Sequence, residues 1–447
     1  MSLRKATVIA LLKRRHAMAQ CAMAGGVAAL CALNAAPAAA LAPGQQARQV
    51  DVVRAGAACN GLADDTAVFK RVFAALNKAG GGEVILPAGS KCTVNETLVA
   101  AAPIYVTGAG KHLSSLRMVA PHKDLLLWAG HYFGGGARHL SFFGPGPQGG
   151  VGLHVIGMAD FQATDVNVAA FHDGFREDGA GGLRLTAVDV SHVGHDSFHI
   201  VGGPLQVLSN VTAFNNDDEP SNAGVHVEAT GALHLVNASL DGQGWAVLVD
   251  PAGPQRPHAG WTSGQAFDIW IDGCDLDDSL HSGLLLNPGH GNLIHSVQMT
   301  STRVGVSRGN GVEIGAGTAG GEPGIHNVVM TGDTIEGSRQ DGLVVQNVHD
   351  LSVSNTQVIG NSVLQRGHSG VVVKGGDNII LNAITSGQWR NLPATQDYGL
   401  VVYTPQVSHI IVSNSILAGN VRAPYQFKGD APAHVLLNNN YPRQPAP

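Results

Sequence analysis

Gly342-Leu343-Val344-Val345, Leu351-Ser352-Val353-Ser354-Asn355, Gly370-Val371-Val372-Val373, Ile379-Ile380-Leu381-Asn382, Gly399-Leu400-Val401-Val402 and Ile410-Ile411-Val412-Ser413-Asn414 follow one another along one stretch of chain. A glycine opens a short apolar run, and a second apolar run closing on Asn follows it. The same opening recurs upstream at Gly152, Gly174, Ser197, Gly224, Gly244, Gly283 and Gly311, mostly 20–31 residues apart. Short β-prone runs bounded by turn residues read as strands, and a fixed period of this size is the mark of a solenoid. With 59 glycines and 5% aromatic residues, the composition suits many short strands and tight turns. The recurrent Asn residues, among them Asn210, Asn237, Asn355, Asn382 and Asn414, are expected to stack as amide ladders at a coil corner. For Asn310 and Asp341, each just before a rung glycine, turn chemistry is sufficient.

The N-terminus has a different character. Arg4, Lys5, Lys13, Arg14 and Arg15 precede the apolar run Met23–Leu30, and Ala38-Ala39-Ala40 offers a cleavage site. This is the pattern of a secretory signal peptide over residues 1–40, too short to span a membrane. Arg14-Arg15 leaves Sec and twin-arginine export both open. The expected location is therefore secreted or periplasmic. Without residues 1–40 the chain keeps 22 Lys+Arg against 33 Asp+Glu, a net charge of −11. Nucleic acid is an unsuitable partner for so acidic a chain. A polyanionic substrate would have to be met by local Arg or Lys. Cys59, Cys92 and Cys274 remain after removal of the signal. Cys59 and Cys92 flank one helix–strand unit and are expected to pair in an oxidising compartment. Cys274 reads as a buried free thiol, and no Cys/His spacing fits a zinc site.

Residues 59–99 hold the most specific local pattern. Cys59-Asn60-Gly61-Leu62-Ala63-Asp64-Asp65-Thr66 leads into a helix, then Gly80-Gly81-Gly82 and Val84-Ile85-Leu86-Pro87-Ala88-Gly89. Asp64, Asp65 or Thr66 can cap the helix. Val68, Val72 and Leu76, with Phe69 and Phe73, give it one apolar stripe to cover the open end of a solenoid. This order resembles the N-terminal segment of the pectate lyase superfamily, the group with rhamnogalacturonase- and epimerase-like members. The resemblance implies an all-β fold, a single-stranded right-handed parallel β-helix with an N-terminal capping helix. The expected organisation is a signal peptide (1–40), a cap segment with the helix (41–83), the β-helix (84–437) and a C-terminal tail (438–447).

A candidate site lies between His172 and Glu228. His172-Asp173-Gly174-Phe175-Arg176 and His195-Asp196-Ser197-Phe198-His199 are copies 23 residues apart, followed by Asn215-Asn216-Asp217-Asp218 and Gly224-Val225-His226-Val227-Glu228. Aligning rungs on their glycine gives an outward column, since alternate strand residues share a face. It runs His154, Arg176, His199, His226, Ala246, Leu285, Glu313, Val344, Val372, Val401. Its polar members concentrate in the first four rungs. Glu177 fits the alternation badly and is left unassigned. A Pro/Gly-rich insertion between Gly244 and Gly283 carries Arg256 and Trp261, a side chain suited to stacking on a sugar ring.

Polysaccharide hydrolysis commonly uses two carboxyl groups about 5–9 Å apart, a span that neighbouring rungs provide. The expected function is a secreted, polysaccharide-cleaving glycoside hydrolase. Asp196, Asp217, Asp218, His199 and His226 are its catalytic candidates; His154, Asp173, Arg176, Glu228, Arg256 and Trp261 are its substrate-binding ones. A partial resemblance to polygalacturonase-type hydrolases rests on an Asp followed by Asp-Asp about 21 residues later, at Asp196, Asp217 and Asp218. Gly289-His290-Gly291 stands four rungs too late for that family, and only Val373-Lys374 approaches its Arg-Ile-Lys motif. Epimerase-like relatives carry Asp-Pro-His where this chain has Asp250-Pro251-Ala252. Two alternatives are carried. One is a lyase acting by β-elimination on a uronic acid polymer, with His199 or His226 as base, Arg176 as neutraliser and calcium at Asp217, Asp218 and Glu219. The other is a non-catalytic glycan-binding solenoid. A hydrolase implies no metal or other cofactor.

Overall fold

The computed structural model describes residues 48–215, 222–251, 264–315, 324–364, 366–389, 392–429 and 434–442. The expected signal segment lies outside that set, as do Asp217, Asp218, Glu219, Arg256, Trp261 and the last residues of the tail. The strands run parallel and wind into a β-solenoid of about 13 turns, with one α-helix near its N-terminal end. One sheet of 13 strands takes a strand from each coil in chain order, from Leu98–Ala100 to Ala423–Lys428. The remaining strands cover the other faces.

Strand pairing keeps like residues opposite one another. Leu153, Phe175, Phe198, Val225, Val247, Leu284, Val312, Leu343, Val371 and Leu400 form one continuous inward column. All are buried, and each such side chain contributes roughly 1.5–3 kcal/mol by leaving water. The coil interior also explains the recurrent glycine. A Cβ on Gly174 would lie 2.3 Å from Val190 Cγ1, and one on Gly311 2.3 Å from Ile335 Cγ2. The rung corner has no room for a methyl against the facing wall.

The helix Thr66–Lys78 buries Phe69, Val72, Phe73 and Leu76 against the core. Its N-terminus differs in detail from the expected cap. Asp64 Oδ1 accepts the Thr66 N–H at 3.0 Å, but Asp65 is buried and turned away. Its carboxylate accepts the Ala58, Cys59 and Thr93 N–H groups, tying the preceding turn to the first coil. The solenoid also starts earlier than residue 84. Gln49–Asp51 pairs parallel with Gly82–Ile85, and Asn60–Asp64 with Lys91–Val94. The segment expected as a cap thus adds strands to the sheets. Cys59 and Cys92 form a disulfide. Cys274 is free and buried, and burial pushes its thiol up to about 11. The amide ladders are present: Asn237 donates to Asn210, and Asn439 to Asn414, which in turn donates to Asn382. No helix among the described residues is long and apolar enough to cross a membrane.

Candidate active site

The outward column forms as expected, with one change of register. His154 stands opposite Arg176, Arg176 opposite His199, and His199 opposite His226. The next member is Leu248 and not Ala246, because Ala223 pairs with Trp245 and Val225 with Val247. Ala246 therefore fills the inward position that glycine holds in neighbouring coils. The column continues through Leu285, Glu313, Val344, Val372 and Val401.

Three aspartates in equivalent turns hold this wall in place. One oxygen of each accepts a backbone N–H from the next coil: Asp124 from Val151, Asp173 from Asp196 and Asp196 from Ala223. The second oxygen, or the same one, meets a histidine of that coil. Asp124 Oδ2 lies 2.8 Å from His154 Nδ1, Asp173 Oδ1 2.9 Å from His195 Nδ1, and Asp196 Oδ2 2.8 Å from His226 Nδ1. Asp178 joins the first two rungs, 2.8 Å from His154 Nε2 and accepting from both Nε and Nη2 of Arg176. Arg176 Nη1 reaches His199 Nδ1 at 3.4 Å. At the far end, His199 Nε2 lies 3.0 Å from Glu228 Oε1. Glu228 sits in a β-bulge: Ile200 pairs with Val227, yet Val201 pairs with Ala229. The extra residue turns this carboxylate toward the column, a use of bulges common beside functional sites.

The result is a chain of alternating charge. Burial alone would raise the Asp196 carboxyl, but the hydrogen bond from His226 and the field of the neighbouring histidines hold it below the usual range. Asp173 and Asp178 are likewise held down against burial by their His and Arg partners. The Asp173 hydrogen bond raises His195. Burial would lower His154 and His226, and their carboxylate partners outweigh it.

Exposure divides the expected site residues. His154 and Arg176 are half-buried and face outward, whereas Asp173, Asp196, His199, His226 and Glu228 are buried. Direct contact with a sugar, expected of Asp173 and Glu228, does not fit that burial. Nor does a direct acid or base role fit Asp196, whose oxygens are taken up by Asn222, Ala223 and the histidines. Asp217, Asp218, Arg256 and Trp261 lie outside the described residues, so the carboxylate pair has no measured separation.

The structure adds His195, whose side chain is 37% exposed, with Nδ1 on Asp173 and its ring stacked 5.1 Å from His172. The repeated His-Asp pair contains this residue, but glycine alignment counts only strand positions and passes over the turn. Asp178 and Asp124 are the other additions. Asp178 follows Arg176 by two, on the same face. Asp124 stands two residues before Leu126, as Asp173 does before Phe175 and Asp196 before Phe198, but the glycine alignment starts only at Gly152 and does not reach it. Glu177 is not outward at all. It stands in the inward column between Val155 and Ile200, where burial raises its carboxyl well above the normal range and Ala180 N–H donates to it.

The family model described as "Right handed beta helix region" matches residues 260–441. The fold is a right-handed parallel β-helix. Solved structures agree over most of the chain. The A-module of mannuronan C-5 epimerase AlgE6 from Azotobacter vinelandii has a TM-score of 0.57 at 15% identity, covering 88% of this chain and 100% of the module. The tailspike protein of Escherichia coli bacteriophage HK620, in complex with a pentasaccharide, has a TM-score of 0.57 at 10% identity, covering 84% and 77%. The Agl-KA catalytic domain has a TM-score of 0.51 at 14% identity, covering 89% and 68%. At these identities the likeness is one of fold. No curated protein sequence matches the chain.

Proposed function

We propose that this β-helix is an exported carbohydrate-active enzyme that cleaves a uronate-containing polysaccharide by β-elimination. The observation that carries this reading is His195, the one ring of the Asp–His pairs that combines a buried carboxylate on Nδ1 with substantial exposure. Such a dyad fixes the tautomer and leaves Nε2 to take a proton from the carbon beside the sugar carboxylate. The electron pair then forms the C4–C5 double bond, the C4–O bond breaks, and the departing oxygen takes up a proton from solvent water. Arg176, held by Asp178, is the fixed cation beside it. The named activities of the neighbours, a mannuronan epimerase and an oligosaccharide-binding tailspike, support a polysaccharide as partner. The Cys59–Cys92 disulfide supports an oxidising compartment.

The electrostatics favour elimination over hydrolysis. Hydrolysis needs a protonated carboxyl as general acid, and Asp173, Asp178 and Asp196 are held below the usual carboxylate range by hydrogen bonds from their His and Arg neighbours. A hydrolytic route would rest on Asp217 or Asp218. Incubation with a panel of acidic and neutral polysaccharides separates the two. Elimination produces new reducing ends together with the ultraviolet absorbance of an unsaturated uronate, and His195→Ala should lower both about 10²–10⁴-fold. Reducing ends without absorbance would overturn elimination in favour of hydrolysis, and neither product from any substrate would favour a binding solenoid.

A further inference from the structure

Part of the wall is not used by that chemistry. His199 and His226 lie on adjacent coils with their rings stacked, centroids 4.6 Å apart and planes 13° from parallel. Both Nδ1 atoms face one oxygen, Asp196 Oδ2, at 3.2 and 2.8 Å. Glu228 lies within reach of their other edges. Its Oε1 is 3.0 Å from His199 Nε2, while its Oε2 and His226 Nε2 are buried with no partner among the described residues. One donor atom from each of His199, His226 and Glu228 lies within 4.8 Å of the others.

We propose that His199, His226 and Glu228 bind a divalent transition-metal ion of the zinc class, with Asp196 orienting both rings. Two imidazoles and one carboxylate suit such ions, whereas calcium prefers a shell of oxygens. An ion about 2.0–2.2 Å from each ligand holds ligand atoms roughly 3–3.5 Å apart, a spacing His199 and Glu228 already have. The Asp196 carboxylate behind both rings is the arrangement that fixes metal-binding tautomers and raises ligand basicity. It gives His226 a proton on Nδ1 and a bare lone pair on Nε2. That lone pair and Glu228 Oε2 are otherwise two buried groups without a partner among the described residues, which is costly. A cation shared between them removes both penalties at once. The bulge at Glu228 gains a purpose on this reading, since regular pairing would not place an extra carboxylate beside the column. Three protein ligands leave a further coordination position for water.

This site is independent of the reaction proposed above, because His195 and Arg176 are not among its ligands and binding is read without substrate. The test uses the full chain without a histidine tag, stripped with chelator. Zn2+ is titrated by calorimetry, and Co2+ by visible absorption. The expected result is one equivalent of Zn2+, not displaced by excess Ca2+. Affinity should fall at least about 10-fold in His226→Ala and in Glu228→Gln, and about 10–100-fold in Asp196→Asn, with His195→Ala unchanged. Glu228→Gln keeps the shape of the side chain and carries the test should His226→Ala fail to fold. Absence of saturable binding to the folded chain would overturn the proposal. So would affinity unchanged in Glu228→Gln, or lost in His195→Ala, which would move the ion to the Asp173–His195–Asp196 cluster.

Discussion

Asp196 offers the sharpest test of how the charged wall is held together. It is wholly buried, and its two oxygens accept from Asn222 Nδ2, Ala223 N and His226 Nδ1, with His195 and His199 also within 3.2 Å. Asp196→Asn preserves the shape and one acceptor for Ala223, but removes the charge that His226 faces. Breaking a buried pair in this way costs about 3–5 kcal/mol. For about 400 ordered residues the unfolding entropy is roughly 0.8 kcal/mol/K, so the melting temperature should drop by about 4–6 °C. The pH dependence follows from the directions of the shifts. The Asp196 carboxyl is held below its unfolded value, so its contribution is present above about pH 4 and is lost as pH falls through the folded value. His226 is raised above 6.5, so its contribution is complete below pH 6.5 and is lost as pH rises through its folded value. The parent–variant difference should therefore peak near pH 5–6 and shrink on both sides. Thermal melts followed by circular dichroism from pH 3 to 9 measure it. A difference that is flat across that range, or below about 1 kcal/mol at pH 5.5, would refute the account.

Glu177→Gln should become more stabilising as pH rises, because the folded parent keeps that carboxyl neutral while the unfolded chain ionises above about 4.5; parallel melts at pH 4 and pH 8 would show the gain only at the higher value. Phe175→Ala leaves a void between Leu153 and Phe198 and should cost about 3–5 kcal/mol in denaturant unfolding. Reducing the Cys59–Cys92 bridge, whose cysteines are 33 residues apart, should cost roughly 3–4 kcal/mol by chain entropy. That loss should register as a lower denaturation midpoint with the sheet signal retained before unfolding.

The coil architecture was legible because its causes are local and repeat. Rung glycines mark corners with no room for a Cβ, period-2 apolar runs bury one face, and Asn closes the next corner in a left-handed conformation, as at Asn237 and Asn414. The outward column His154–Arg176–His199–His226 was readable for the same reason, since parallel coils in register place equivalent residues side by side. Other features depended on pairings between coils that spacing alone does not reveal. The slip from Ala246 to Leu248 depends on how Trp245 meets Ala223, and the exposure of Glu228 to the histidines on a bulge opposite Val201. Burial was the largest correction. Asp173 and Asp196 in the rung turns and Glu228 beside the column are charged residues, which sequence alone assigns to a wet groove. Only the tertiary structure showed that each is enclosed and held by groups of an adjacent coil, because a carboxylate's solvation is set by neighbours 20–30 residues away in the chain. The same enclosure makes His195, passed over by the strand pattern, the ring that meets solvent.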